Sequence, residues 1–175
     1  EAGKVVTEKL IDSYEKTGLM DEKVPTWQFD DVRFFTDPAN TKVIIGATCA
    51  PRTMDELIAA HLSRIKTGDY CGLNAHIGLN AENNLELQRI RHLIRDRKGV
   101  PTTIGIGPRF LHSTGQLHKG GPNSGVFLQL TSESVNDLQI PGRQCTFGVL
   151  RRFQAQGDLE VLQSLNRRVM RVHLG

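Results

Sequence analysis

Residues 102–131 read TTIGIGPRFLHSTGQLHKGGPNSGVFLQLT, and this stretch decides the predicted fold. Its first five residues predict a strand, and Gly105-Ile106-Gly107-Pro108 predicts a sharp turn at the end of that strand. A short helix is expected over residues 110–119, ended by the Gly-Gly-Pro that follows, and a second strand over residues 125–130. A strand, a crossover helix and another strand form the unit from which parallel sheets are built.

Three more strands are predicted outside that stretch. Val43-Ile44-Ile45 is a short apolar run that ends in a glycine, residues 70–77 form the next strand, and residues 169–174 form the last. Alternation of strands and helices indicates an α/β fold with right-handed crossovers. We therefore predict a three-layer sandwich, with a parallel sheet of about five strands and helices on both faces. Ligand sites in such sheets lie at the carboxyl ends of the strands, here at residues 46–53, 78–82, 105–109 and 131–146.

The predicted helices carry recognisable start signals. Thr53 and Glu56 match a capping box, and Asn80 is expected to cap the next helix. The last helix is expected over residues 146–165, with a break near Gly157-Asp158. The side chains expected to face inward on the first two of these helices are Met54, Leu57, Ile58, His61, Leu62, Ile65, Leu87, Ile90 and Ile94.

Residues 1–40 differ in pattern from residues 41–175, and we interpret them as a lead-in helix and linker before the main domain. Val32–Phe35 is a candidate edge strand, and Asp37-Pro38 a candidate turn. A short helix that ends near Gly18 is expected to turn its inner stripe, Val5, Val6, Leu10 and Tyr14, toward the domain.

Composition excludes several classes of protein. The net charge is only +3 and the arginines are dispersed, which argues against a nucleic-acid partner. No apolar run approaches the ~18 residues of a membrane span, and no signal peptide is visible. The three cysteines, Cys49, Cys71 and Cys145, are odd in number and lack CxxC spacing, so we expect buried thiols and a cytoplasmic location. Glu1 stands where an initiator Met would be, which suggests a fragment.

No cofactor and no metal site are expected. Gly105-x-Gly107 begins like a dinucleotide fingerprint, but Phe110 stands where its third glycine belongs, so a tight turn is favoured. No Walker-type phosphate loop and no GxSxG elbow occur. His61 lies on the apolar side of its helix, and we interpret it as a core residue. The remaining candidates, His76, His92 and His173, have no partner at metal-ligand spacing and are interpreted as structural or solvated.

The segment at 109–119 concentrates polar, proton-handling residues beside a strand end. His112, Gln116 and Lys119 stand at i, i+4 and i+7, so one helix would place them on one face. An imidazole exchanges protons near pH 7, while an amide and an ammonium hold sugar hydroxyls or an anion. The spacing of these three residues fits equally well an ordinary amphipathic helix with one solvent-exposed polar face. We expect His112 to be exposed at the edge of the domain, and we count Ser113 and Arg109 among the candidate substrate-binding residues.

The same segment resembles a known family. Leu-His-Ser-Thr-Gly-Gln at 111–116 resembles the Leu-His-Ser-x-Gly-Gln segment of short bacterial phosphoglucose isomerases. Residues 107–131 are similar to the C-terminal part of bifunctional transaldolase/phosphoglucose isomerase proteins, and the likeness extends over roughly residues 42–175. Its other segments are Gly68-Asp69-Tyr70, Ile140-Pro141-Gly142-Arg143, Thr146-Phe147-Gly148, Gln156-Gly157-Asp158-Leu159 and Arg171-Val172-His173-Leu174.

The resemblance implies a lobe of an enzyme that interconverts glucose 6-phosphate and fructose 6-phosphate. It implies that His112 is catalytic and helps open the sugar ring in the site of a neighbouring subunit. A glutamate base elsewhere would move the proton between C1 and C2, and a Ser/Thr-rich loop in the first lobe would hold the phosphate. The implied partners are a phosphosugar, an upstream isomerase lobe, a transaldolase domain and a second copy in a homodimer.

This sequence departs from the family pattern. Neither the phosphate loop nor a recognisable base glutamate is found in it, so the chain alone is expected to be inactive. Of the family's Gln-x-Gly-Val-Glu-x-x-Lys, only Gly148-Val149 aligns, and Phe153 stands at the lysine position. Arg151, Arg152 or Lys119 would have to replace that lysine. The alternative function is a non-catalytic module of the same fold that binds phosphosugars or a partner protein.

Overall fold

The computed structural model describes residues 2–20, 23–48, 50–134 and 136–175. Within these ranges the helices are α1 (Ala2–Thr17), α2 (Pro38–Thr48), α3 (Met54–Leu62), α4 (Ala81–Lys98), α5 (Thr114–Gly120) and α6 (Phe147–Ser164), with a 3₁₀ turn at Arg109–His112. The strands are β1 (Trp27–Phe29), β2 (Val32–Phe35), β3 (Tyr70–His76), β4 (Thr102–Ile106), β5 (Gly125–Ser132) and β6 (Arg168–Leu174).

The strands form one six-stranded sheet in the order β1-β2-β6-β5-β3-β4. Strands β6, β5, β3 and β4 are parallel, whereas β1 and β2 form an antiparallel hairpin that joins the sheet at β6. Helices α2, α3 and α4 contribute Ile44, Leu57 and Ile94 to the core on one face. On the other face, Leu159 and Leu162 of α6 pack on strands β5 and β6. The α/β three-layer prediction is therefore confirmed, with four parallel strands and two antiparallel ones.

The predicted strand at Val43-Ile44-Ile45 is wrong, because these residues lie inside α2. The helix begins at Pro38, whose fixed φ suits a first helical position, so the predicted turn there is also wrong. Asp37 Oδ1 accepts a hydrogen bond of 2.9 Å from the backbone N–H of Asn40, as a helix cap does. A run of three apolar residues is too short for its periodicity to separate strand from helix. Only Ile44 of the three is fully buried.

Strand β2 is not an edge strand, contrary to the prediction. It pairs with β1 on one side and with β6 on the other, and Phe34 at its centre is fully buried. Arg33 lies opposite His173 in the register of β2 and β6. Because β2 runs antiparallel, its first residues lie at the edge where the parallel strands end.

Helix α1 packs against α6, and the predicted stripe is confirmed in part, since Leu10 and Tyr14 pack on the buried cluster that contains Phe153 of α6. Thr7 and Ile11 are buried, whereas Val5 is exposed. Gly18, with φ +67°, follows the last residue of α1, as predicted.

Helix α6 continues unbroken through Gly157-Asp158, so the predicted break is wrong. The glycine serves a close approach of two helices instead. A Cβ at position 157 would lie 2.7 Å from the hydroxyl of Thr7 and 2.9 Å from the carbonyl oxygen of Gly3.

The predicted caps of α3 and α4 are confirmed. Thr53 accepts a hydrogen bond from the backbone N–H of Glu56, and Asn80 accepts one from Asn83. The predicted inner faces are confirmed for Leu57, His61, Leu87 and Ile94, which are buried, but not for Met54 and Ile90, which are exposed. No helix in the described part of the chain is both long enough and apolar enough to span a bilayer.

Candidate functional site

The segment predicted as one helix over 110–119 is divided in two. A 3₁₀ turn, Arg109–His112, is followed by Ser113, whose φ of −129° and ψ of −103° are not helical, and only then by α5. Glycine is needed just before this turn, since a Cβ at Gly105 would lie 2.7 Å from the Phe110 ring. The His112 side chain is exposed, which confirms that expectation. Arg109 and Ser113 are exposed as well.

The break at Ser113 removes the predicted common face. Gln116 is exposed, and its Nε2 donates a hydrogen bond of 2.7 Å to the carbonyl oxygen of Leu111. Lys119 points inward: its Nζ lies 2.5 Å from Oδ1 of Asp158, and the two side chains are 14% and 1% exposed. Lys119 thus serves a buried ion pair, and the prediction that it shares a face with His112 is wrong.

A cavity of about 230 Å³ lies at the carboxyl edge of the sheet, where β3, β5 and β6 end. Of the strand-end segments predicted from the sequence, 131–146 contributes to its wall. None of the five predicted site residues, Arg109, His112, Ser113, Gln116 and Lys119, lines this cavity. Its charged and imidazole side chains are Lys23, Arg33, His76, Glu133, Asp137, Arg151, Arg152, Arg171 and His173.

Arg171 projects from β6 into the wall of the cavity and is only 8% exposed. Its Nε donates to the side-chain oxygen of Gln129 and its Nη1 to that of Gln156, both at 2.7 Å. Its Nη2 has no hydrogen-bond partner among the described residues. Burial lowers the pKa of Arg171 to about 10, so the guanidinium remains charged at neutral pH.

His76 is the last residue of β3 and is 1% exposed. Neither ring nitrogen has a hydrogen-bond partner in the described part of the chain. Burial lowers the pKa of His76 to about 3, with smaller contributions from nearby cations, so the ring is neutral. The ring meets Phe110 edge-on at 5.5 Å, and a Cβ at Gly107 would clash with it. The interpretation of His76 as a structural residue therefore fits its packing, but it does not explain why both ring nitrogens lack hydrogen-bond partners.

A carboxylate, Glu133, follows the end of β5 at the cavity rim. Its Oε1 lies 3.2 Å from Nε2 of His173 and 3.6 Å from a guanidinium nitrogen of both Arg33 and Arg152. The other ring nitrogen of His173 is 2.9 Å from the Thr131 hydroxyl. Burial is the main reason why the pKa of His173 is lowered, although Glu133 opposes that shift.

The amino end of α6 is occupied by the protein itself. Asp137 accepts hydrogen bonds from the backbone N–H of Gly148 at 2.7 Å and from the Thr146 hydroxyl. Burial alone would raise the pKa of Asp137, but these hydrogen bonds outweigh it and the pKa is lowered. Arg151, in the first turns of α6, donates 2.7 Å to the hydroxyl of Ser134.

The described residues contain no cluster of three or more His, Cys, Asp or Glu side chains arranged for a metal ion. Cys71 and Cys145 are buried free thiols, as expected, and Cys49 lies outside the described residues. Burial raises the pKa of Cys71 to about 12, so its thiol is inert at neutral pH.

Comparison with known proteins supports the fold. The crystal structure of hypothetical protein TT0462 from Thermus thermophilus is similar, with a TM-score of 0.60 and 16% sequence identity. The match covers 77% of this chain and 37% of that one, so the chain spans just over a third of its neighbour's length. The chain matches no family model and no curated protein.

Proposed function

We propose that this chain is the C-terminal lobe of a glucose-6-phosphate isomerase, of the kind fused behind a transaldolase. The observation that carries the proposal is the exposed imidazole of His112, placed directly after the turn that ends β4. Ligands of parallel α/β sheets bind at this edge, and the cation-lined cavity opens on the same edge. The resemblance of residues 107–131 to the isomerases adds the reaction and the substrate.

In the proposed mechanism, His112 exchanges a proton with the ring oxygen or the C1 hydroxyl and so opens the sugar ring. An exposed imidazole suits this role because it has room to reach a substrate held by a neighbouring lobe or subunit. The base that moves the proton between C1 and C2, and the phosphate loop, would come from the upstream lobe. The proposed intact protein is cytoplasmic and comprises that lobe, the transaldolase domain and a second subunit.

The contacts of Lys119, Arg151 and Arg152 bear on which of them would replace the family's C-terminal lysine. Lys119 is engaged with Asp158, whereas Arg151 and Arg152 line the cavity at the start of α6. We therefore assign the missing cationic role to one of these two arginines. Either would stabilise negative charge that develops on a substrate oxygen.

The second candidate, a non-catalytic phosphosugar-binding module, is favoured by one observation. His112 is absent from the lining of the cavity, while Arg171, one of whose nitrogens has no partner among the described residues, is part of it. A binding module requires only the cavity. An isomerase requires His112 as well.

The test uses the product of the complete reading frame that contains this chain. We expect it to interconvert glucose 6-phosphate and fructose 6-phosphate in a coupled assay. His112→Ala should slow turnover of the cyclic substrate by about 10²–10⁴-fold, the usual contribution of a general acid–base group, and slow an open-chain substrate far less.

His92→Ala is the matched control, since His92 is an exposed histidine on α4 and lies outside the turn that carries His112. Equal losses on cyclic and open-chain substrates would remove the ring-opening role. An intact protein that binds the sugar phosphate without turnover would replace the isomerase proposal by the binding module.

A further inference from the structure

We infer that the cavity at the ends of β3, β5 and β6 is a binding site for the phosphate group of a small phosphate monoester, held by Arg171 and His76. The site is additional to the phosphate loop that the proposed function places in another lobe. It stands on the geometry of this chain, whether or not the isomerase proposal holds.

The first argument is the unpartnered donors. Arg171 is 8% exposed and His76 is 1% exposed, yet Nη2 of the first and both ring nitrogens of the second lack a hydrogen-bond partner among the described residues. Burying such groups unpaired is costly, and proteins normally pair them. Both side chains line the same cavity. A ligand with several acceptor oxygens satisfies both residues at once.

The second argument is the balance of charge. Five cations line the cavity, against two carboxylates, both of which have partners in the protein. Asp137 is hydrogen-bonded to the first turn of α6, and Glu133 lies against His173. Among the cations, Lys23 is paired with Glu160 outside the wall. The other four are guanidinium groups, the side chains best suited to phosphate oxygens. Of these, Arg33 and Arg152 each lie 3.6 Å from Glu133, whereas Arg171 Nη2 has no partner within the described part of the chain.

The third argument is size and the chemistry of the wall. A cavity of about 230 Å³ is smaller than the ~300–1,000 Å³ of a pocket for a drug-sized ligand, so it suits a small head group. The residues that line it carry three donors of interest: Arg171 Nη2, the one N–H of the neutral His76 ring and the hydroxyl of Ser134. Three donors from three segments match the three terminal oxygens of a phosphate monoester better than the two of a carboxylate.

The test is a binding measurement on this chain. We expect glucose 6-phosphate to bind saturably by calorimetry, inorganic phosphate to bind more weakly and compete with it, and glucose not to bind. His76→Phe keeps the ring on Phe110 and removes both nitrogens, so it should weaken binding at least tenfold. Arg171→Gln should do the same. Arg89→Gln, an exposed arginine on α4, should bind like the unmodified chain.

NMR of the His76 ring supplies a second readout that does not depend on the stability of Arg171→Gln. A bound anion favours the protonated imidazole, so the pKa of His76 should rise when glucose 6-phosphate is added. The site would be overturned by any of three results. These are that neither glucose 6-phosphate nor inorganic phosphate binds, that glucose binds as tightly as glucose 6-phosphate, or that His76→Phe binds as tightly as the unmodified chain. Binding of inorganic phosphate but not of glucose 6-phosphate would overturn its assignment to a phosphate monoester. These outcomes are independent of turnover, which alone tests the isomerase.

Discussion

Replacement of Lys119 by methionine should destabilise the fold strongly, because Lys119 neutralises a carboxylate that is almost fully buried. The Asp158 side chain is 1% exposed and its Oδ1 lies 2.5 Å from the ammonium of Lys119, whose side chain is 14% exposed. Removing one partner of a buried ion pair costs about 3–5 kcal/mol. We expect the lower end, about 3 kcal/mol, because Gln129 Nε2 still donates to Asp158 Oδ2 at 3.2 Å. For a chain of this length, each kcal/mol lowers Tm by roughly 2–4 °C.

The assay is urea unfolding of the purified chain, with Lys119→Met, Asp158→Leu and the double variant forming a cycle. The double variant should be more stable than Lys119→Met alone, since it leaves no buried charge unpaired. Lys4→Met is the control: its pair with Glu8 spans 3.9 Å between side chains that are 71% and 60% exposed, so its loss should cost under about 1 kcal/mol. A cost for Lys119→Met no larger than for Lys4→Met would refute the structural role and restore Lys119 as a candidate substrate residue.

Two further predictions concern helix contact and acid stability. Gly157→Ala should lower the free energy of unfolding by about 1–3 kcal/mol through overpacking, because its Cβ would lie 2.7 Å from the Thr7 hydroxyl. Gly46→Ala, in open space on α2, should raise it by about 0.5–1 kcal/mol. Urea unfolding that ranks the two variants the other way would contradict the packing. Burial lowers the pKa of His61 from 6.5 to about 3, so only the unfolded state binds this proton between those pH values, and stability falls as pH falls from about 6.5 to about 3. His61→Leu should reduce the slope of stability against pH by up to about 1.4 kcal/mol per pH unit. His92→Leu, on the outer helix α4, should leave that slope unchanged. Equal slopes for the two variants in a pH series of urea unfolding would show that His61 does not contribute.

The parallel part of the fold could be predicted from the sequence because its signals are local. Strands β3 to β6 are apolar runs bounded by glycine, proline or polar residues, and Thr53 and Asn80 mark helix starts by their own hydrogen bonds. The errors fall where a local pattern is ambiguous or where tertiary contact overrides it. Val43-Ile44-Ile45 fits a strand as well as a helix turn, and Gly157 permits a helix–helix contact that no local pattern reveals.

The cavity could not be predicted, because its parts come from distant segments. His76 ends β3, Arg171 lies in β6 and Arg151 lies in α6, so no motif of fixed spacing contains them. Arg33 reaches the same edge only because β2 runs antiparallel to β6, and that pairing reverses the prediction of an edge strand. The sequence signals that fall on this cavity are the predicted strand-end segment 131–146 and the isomerase-like segments that contain Gly148, Gln156 and Arg171.

His76 connects the two functional regions of this edge. His76 is one of the residues that line the cavity, and Gly107 and Phe110, which precede His112 in the chain, pack against its ring. No Cβ would fit at position 107, which shows how closely the turn packs against the ring. If the proposed anion site is correct, an anion that engages the His76 N–H would also hold in place the surface against which the turn before His112 rests. The same buried imidazole would then hold the ligand and support the segment that carries the proposed acid–base group.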